Sequence, residues 1–135
     1  MQSLPPPSMI IIHLGSNHLG RYEAKRCRLA VDDGLAIIQN LLPHSYISWS
    51  AILPRMLYYG YERYTSQVAI DNVWKNMNKF AKRRILRIPQ ASFMSHKFDT
   101  HEHKFYCRDG IHLSDAGSDV LIGDFATAVQ KAGLF

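Results

Sequence analysis

The chain has 135 residues, 47% of them hydrophobic, with a net charge of +5 and a pI near 9.4. That suits one domain and hardly two, and it gives enough apolar side chains for a core, which excludes a mainly disordered polymer. The two cysteines, Cys27 and Cys107, lie far apart with no CxxC pair, so neither a zinc site nor a disulfide framework is indicated.

Residues 1–8 carry three consecutive prolines, Pro5 to Pro7, and read as an extended lead-in to a domain over residues 9–135. There is no basic leader, and the apolar run Met9-Ile10-Ile11-Ile12 is too short for a signal core or a membrane span. An intracellular, cytoplasmic protein without membrane contact is the expectation. Residues 9–14 form a continuous, β-branched apolar run ending at Gly15, the pattern of a strand buried on both faces of a parallel sheet. Residues 22–42 have helical period, with Ala24, Cys27, Val31, Leu35, Ile38 and Leu42 on one face and Pro43 as the stop.

Residues 45–53 read as a second strand, ended by Pro54. The aromatic stretch of residues 55–64, with Tyr58, Tyr59, Tyr61 and Tyr64, suits a lid packed on the core. Thr65 or Ser66 caps a helix expected over residues 67–82, with Ile70, Val73, Trp74, Met77, Phe80 and Ala81 as its apolar stripe. A weak third strand is expected at residues 84–88 and a polar loop over residues 91–108. Ser114 then caps a last helix over residues 115–131, with Leu121, Phe125, Ala128 and Val129 inward and Gly133 as the stop.

Strand, helix, strand, helix, strand, loop, helix is the order of an α/β layer fold with right-handed crossovers. Active groups in such sheets gather where strands end and loops begin. Two words fall there. Gly15-Ser16-Asn17-His18 follows the first strand, and Asp109-Gly110-Ile111-His112-Leu113-Ser114 precedes the last helix. A histidine serves as general base when a neighbouring carboxylate fixes its tautomer, and a turn of three residues brings Asp109 and His112 within reach. An Asn just past a strand end suits donation to a developing oxyanion, which places Asn17 as a candidate.

With these words the chain resembles the SGNH (GDSL-type) hydrolases. The late block of that family has the form Asp-x-x-His, here Asp109 to His112, and its middle block has the form Gly-x-Asn-Asp, here Gly15 to His18. The resemblance runs from about Met9 to the C-terminus and implies a flavodoxin-like three-layer α/β sandwich with a parallel sheet, truncated at its N-terminus. It implies His112 as triad base, Asp109 as its orienting acid and Asn17 as oxyanion donor, for ester hydrolysis without a cofactor or metal. The word Trp49-Ser50-Ala51-Ile52-Leu53-Pro54-Arg55 looks like a subgroup carried by mobile genetic elements.

Two departures qualify what is implied. His18 stands where the family has Asp, and the early Gly-Asp-Ser block that supplies the nucleophile is absent. Ser3, Ser8, Ser16 and Ser50 are poor replacements, because none sits in a nucleophile-elbow context. The chain is therefore expected to be inactive alone, with a small ester as substrate only once a Ser-bearing segment completes it. The uncharged strand of residues 9–14 becomes an edge open to a pairing partner. The rival functions are a protein- or carbohydrate-binding module and, from the basic runs at residues 21–28 and 79–87, a nucleic-acid-binding accessory. His101-Glu102-His103, with His96 or Asp99, reads as a solvated loop rather than a metal site.

Overall fold

The computed structural model describes residues 4–14, 23–55, 67–98 and 102–134. Three strands form one parallel sheet in the order β1 (Met9–Ile12), β2 (Tyr46–Ser50), β3 (Ala91–Met94). Met9 pairs with Tyr46 and Ile12 with Trp49, while Ile47 pairs with Ala91 and Ser50 with Met94. Helix α1 (Ala24–Leu41) connects β1 to β2, and α2 (Gln67–Ile85) connects β2 to β3. A 3-10 turn at His103–Phe105 and helix α3 (Asp115–Ala132) complete the chain. The exposed lead-in is tied to β2: Ser8 O accepts from Tyr46 N at 2.9 Å and Pro7 O from Ser45 Oγ at 2.5 Å.

Because the strands follow in chain order, two crossovers of the same hand put α1 and α2 on one face. Side chains alternate along a strand, so Ile10, Ile12, Ile47, Trp49, Ala91 and Phe93 face those helices. They close over Leu35, Ala81 and Ile85, with Val31 and Ile38 at the margin. A second cluster, Ile52, Met77 and Phe80 with Val73 and Trp74, continues this core beyond the end of β2. Each large apolar side chain fully buried there contributes about 1.5–3 kcal/mol.

The opposite face carries His13, Ser48, Ser50 and Ser92, and α3 lies against it through Phe125. Ser48 and Ser50 are fully buried, and Ser92 Oγ donates to Ser48 Oγ at 3.2 Å. The result is an α/β sandwich of three layers. Of α3, Leu121, Phe125, Ala128 and Val129 are half-buried on the expected inner side, and Ile122 is exposed.

One expected element is corrected. Residues 84–88 are not a strand: α2 runs on to Ile85, and β3 begins at Ala91, inside the stretch expected to be a loop. The helical stripe decides this, since Met77, Ala81 and Ile85 repeat at four-residue spacing and all three are buried. Lys82, Arg83 and Arg84 occupy the last turn of α2, where cations complement the helix dipole. Arg84 pairs with Asp32 of α1 at 2.8 Å and stacks over Phe80, and Lys82 lies over Phe93. Lys82 and Arg84, two of the five basic residues between Lys79 and Arg87, thus make contacts within the chain.

Ser114 caps α3 by accepting from Gly117 N at 3.2 Å, and Gly133 ends the helix at φ 67°, both as the sequence predicts. The proposed caps Thr65 and Ser66 and the Tyr58–Tyr64 cluster lie outside the described residues. Among the described residues no helix is long and apolar enough to cross a membrane.

Candidate active site

The Asp109–His112 word is the tip of a short hairpin. Tyr106 and Leu113 form an isolated antiparallel bridge, Cys107 N donates to His112 O at 2.8 Å, and Gly110 N donates to Cys107 O at 3.0 Å. Gly110 adopts φ 69°, a left-handed conformation that an L side chain resists, and this reverses the chain between the two candidate residues. The reversal lets one carboxylate serve three donors. Asp109 Oδ1 accepts from Ile111 N at 2.8 Å and from His112 N at 3.0 Å, and Oδ2 bonds His112 Nδ1 at 2.5 Å.

These bonds explain the electrostatics. The His112 side chain, then the two backbone N–H groups, stabilise the carboxylate and hold the Asp109 pKa down at about 2, from 3.8. An ionised carboxylate only accepts, so His112 carries its proton on Nδ1 in the neutral state and leaves Nε2 as the acceptor. His112 is 78% exposed, which puts that nitrogen in reach of a ligand.

The hairpin is fastened at two places. Tyr106 OH donates to Pro54 O at 2.8 Å, joining it to the chain leaving β2. Phe98 packs edge-on against Phe105 and Tyr106, joining it to the segment after β3. Pro54 and Phe98 both follow the C-terminal ends of their strands, so the pair stands at the sheet edge where ligands of open α/β sheets bind. A groove of about 300 Å³, lined by Gln39, His44, Ser45 and Gln90 among others, lies at the opposite end, before β2 and β3.

Asn17, with Gly15, Ser16 and His18, lies outside the described residues, as do Asp99 and His101. Among the described residues no group of three metal-ligating side chains comes together. His96 is engaged elsewhere. Its Nε2 lies 2.6 Å from Ser50 Oγ and its Nδ1 2.8 Å from Asp124 Oδ2, while His13 Nδ1 lies 2.8 Å from the same Ser50 oxygen. His13, His96 and Asp124 were not among the residues singled out for acid–base work from sequence. The available signal was a histidine just past each of two strands, His13 and His96, on the same side of the pleat.

The sequence matches no family model and no curated protein. Its structure is similar to several solved ones. One is a Streptococcus pneumonia protein provisionally described as a platelet activating factor, with TM-score 0.74, 18% identity, and coverage of 90% of this chain and 59% of that one. A provisionally described acylhydrolase from Bacteroides fragilis NCTC 9343 matches at TM-score 0.65 and 14% identity over 93% of this chain and 62% of its own. A GDSL-like lipase from Bacteroides thetaiotaomicron VPI-5482 matches at 0.66 and 15%, over 93% and 63%. The chain shares the fold of these structures, a GDSL-like lipase among them, and spans about three fifths of their length.

Proposed function

We propose that this chain is an ester-hydrolase-type domain in which His112 acts as general base and Asp109 orients it. The observation that carries the reading is the Asp109–His112 hydrogen bond on an exposed hairpin at the C-terminal edge of the sheet. His112 Nε2 takes the proton of an attacking hydroxyl, and the Asp109 carboxylate stabilises the imidazolium that results. Asn17 serves as oxyanion donor.

The family's hydroxyl nucleophile belongs to a Gly-Asp-Ser word that these 135 residues do not contain. A segment bearing that word would complete the site; for these 135 residues alone water is what remains to attack a small ester, and turnover runs orders of magnitude below that of a complete triad. Purified chain with p-nitrophenyl acetate is the test. Hydrolysis above the protein-free rate, reduced severalfold in His112→Ala and in Asp109→Asn, is expected. Equal rates in all three proteins would refute the hydrolase reading.

We also propose that the outer edge of β1 accepts a strand from a second segment. Among the described residues β1 pairs only with β2, and its Ile10-Ile11-Ile12 run carries no charge to discourage pairing. Size-exclusion chromatography with thermal melting tests this. Self-association is expected, and a clean monomer with a sharp melt would count against it.

A further inference from the structure

The face of the sheet under α3 holds a second set of acid–base groups. Asp124, His96, Ser50 and His13 are joined by three consecutive hydrogen bonds of 2.8, 2.6 and 2.8 Å, across α3, the segment after β3, β2 and the segment after β1. The first two bonds are those of a serine-hydrolase triad, yet Ser50 is not placed to attack. It is fully buried, and the neighbouring Ala51 N–H is already given to Met94 O at 2.9 Å, so that N–H is not available to an oxyanion. The more exposed end of the chain of bonds is His13, an exposed residue whose Nδ1 side is partly buried against Ser50. Among the described residues its Nε2 has no hydrogen-bond partner.

Donor and acceptor rules fix the direction of the whole set. The Asp124 carboxylate only accepts, so His96 Nδ1–H donates to it. His96 Nε2 then accepts from the Ser50 hydroxyl, Ser50 Oγ accepts from His13 Nδ1–H, and His13 Nε2 is left as an acceptor that no described residue fills. We propose that these four residues form a proton relay, a second acid–base site that takes a proton from water or an alcohol at His13 Nε2 and delivers the charge to the His96–Asp124 pair. In the transfer an Nε2–H bond forms on His13 as its Nδ1–H bond breaks. That proton joins Ser50 Oγ, and the hydroxyl proton it replaces goes to His96 Nε2. His13 ends neutral, and the imidazolium at His96 lies 2.8 Å from a carboxylate, its side chain 2% exposed.

Burial, with the nearby His96, lowers the His13 pKa, which disfavours leaving the charge on His13 itself. Around His13 the relay partners come from β2 and the segment after β3, and α3 contributes the edge-on Phe125 ring at 5.8 Å. His13 acts on the ligand; Ser50, His96 and Asp124 are positioning residues. Catalytic use of the relay rests on the hydrolase reading above, whereas the relay itself does not.

Long-range 1H–15N correlation spectra of the full chain at pH 8 report imidazole tautomers directly. The expected wild-type result is Nδ1–H as the majority form at both His13 and His96. Asp124→Ala frees His96 to protonate Nε2, which turns the Ser50 hydroxyl toward His13 and inverts the His13 tautomer two residues away. Ser50→Ala inverts His13 alone, because His96 still donates to Asp124, and this variant serves where Asp124→Ala does not fold. A wild-type His13 mainly in the Nε2–H form, or one unmoved by both substitutions, overturns the relay. Loss of ester turnover with both tautomers intact refutes the hydrolase reading and leaves the relay standing.

Discussion

Gly117→Ala is expected to be the most disruptive of the glycine substitutions within the helices. An added Cβ would lie 2.1 Å from Phe105 O and 3.2 Å from Leu113 Cβ. A carbon needs about 1 Å more than that from a backbone oxygen, and the carbonyl is held, since it also accepts Ser114 N at 3.0 Å. Relief requires α3 to back away from the 3-10 turn. Overpacking typically costs about 1–3 kcal/mol, and loss of the Ser114 N–H bond adds about 1 kcal/mol, so about 2–4 kcal/mol is expected. With an unfolding entropy near 2.1 cal/mol/K per residue, the chain has about 0.28 kcal/mol/K, and Tm falls by roughly 7–14 °C. The same substitution at Gly34 or Gly123 meets nothing within 4 Å, and there the helix gains about 1 kcal/mol, or roughly 3–4 °C. Thermal melts followed by circular dichroism compare the three. A Gly117→Ala Tm within about 2 °C of wild type, or the same sign of shift at all three sites, would refute the close-approach argument.

Asp109→Asn should lower Tm above about pH 4, with the gap to wild type closing as pH falls toward 2. The folded pKa of about 2 lies below the unfolded 3.8, so this carboxylate's contribution is full above the unfolded value and lost through the folded one. A gap that does not change with pH would contradict it. His13 has the same depressed direction but is a base: the unfolded chain takes up its proton first, so stability falls as pH drops below 6.5. His13→Asn should flatten the Tm-versus-pH curve just below 6.5, and an NMR titration midpoint at or above 6.5 would rule the mechanism out. Asn78 Oδ1 accepts from Ile52 N at 2.8 Å and its Nδ2 donates to Ile52 O at 3.0 Å, while Trp74 Nε1 donates to the same carbonyl. Asn78→Ala strands the Ile52 N–H and should cost about 1–3 kcal/mol in urea denaturation; a loss under 0.5 kcal/mol would show that another group takes over.

The elements read correctly from sequence were those whose periodicity and end signals agreed. Ile10 to Ile12 announced a strand, the stripe from Ile70 to Ala81 a helix, and Ser114 and Gly133 both ends of α3. The third strand was misplaced because Arg84-Ile85-Leu86-Arg87-Ile88 is β-rich in composition, while Ala91-Ser92-Phe93-Met94 is not. At four residues, with Ala and Ser at two of them, β3 is too short and too poor in β-branched side chains to give a strand signal. The Asp109–His112 pair was legible because three-residue spacing and Gly110 make its geometry local. The His13–Ser50–His96–Asp124 set was not, since its members are 28 to 46 residues apart at each bond and meet only after the sheet has formed.

The hairpin separates two properties of the candidate site. Its internal bonds all fall between Tyr106 and Leu113, so the acid–base pair is assembled by eight neighbouring residues. Where the pair stands depends instead on Tyr106 reaching Pro54, 52 residues earlier, and on Phe98. Orientation is inherited locally and address globally. Tyr106→Phe would therefore leave the imidazole–carboxylate couple intact and loosen only one of the two ties that set where it stands, the bond to Pro54.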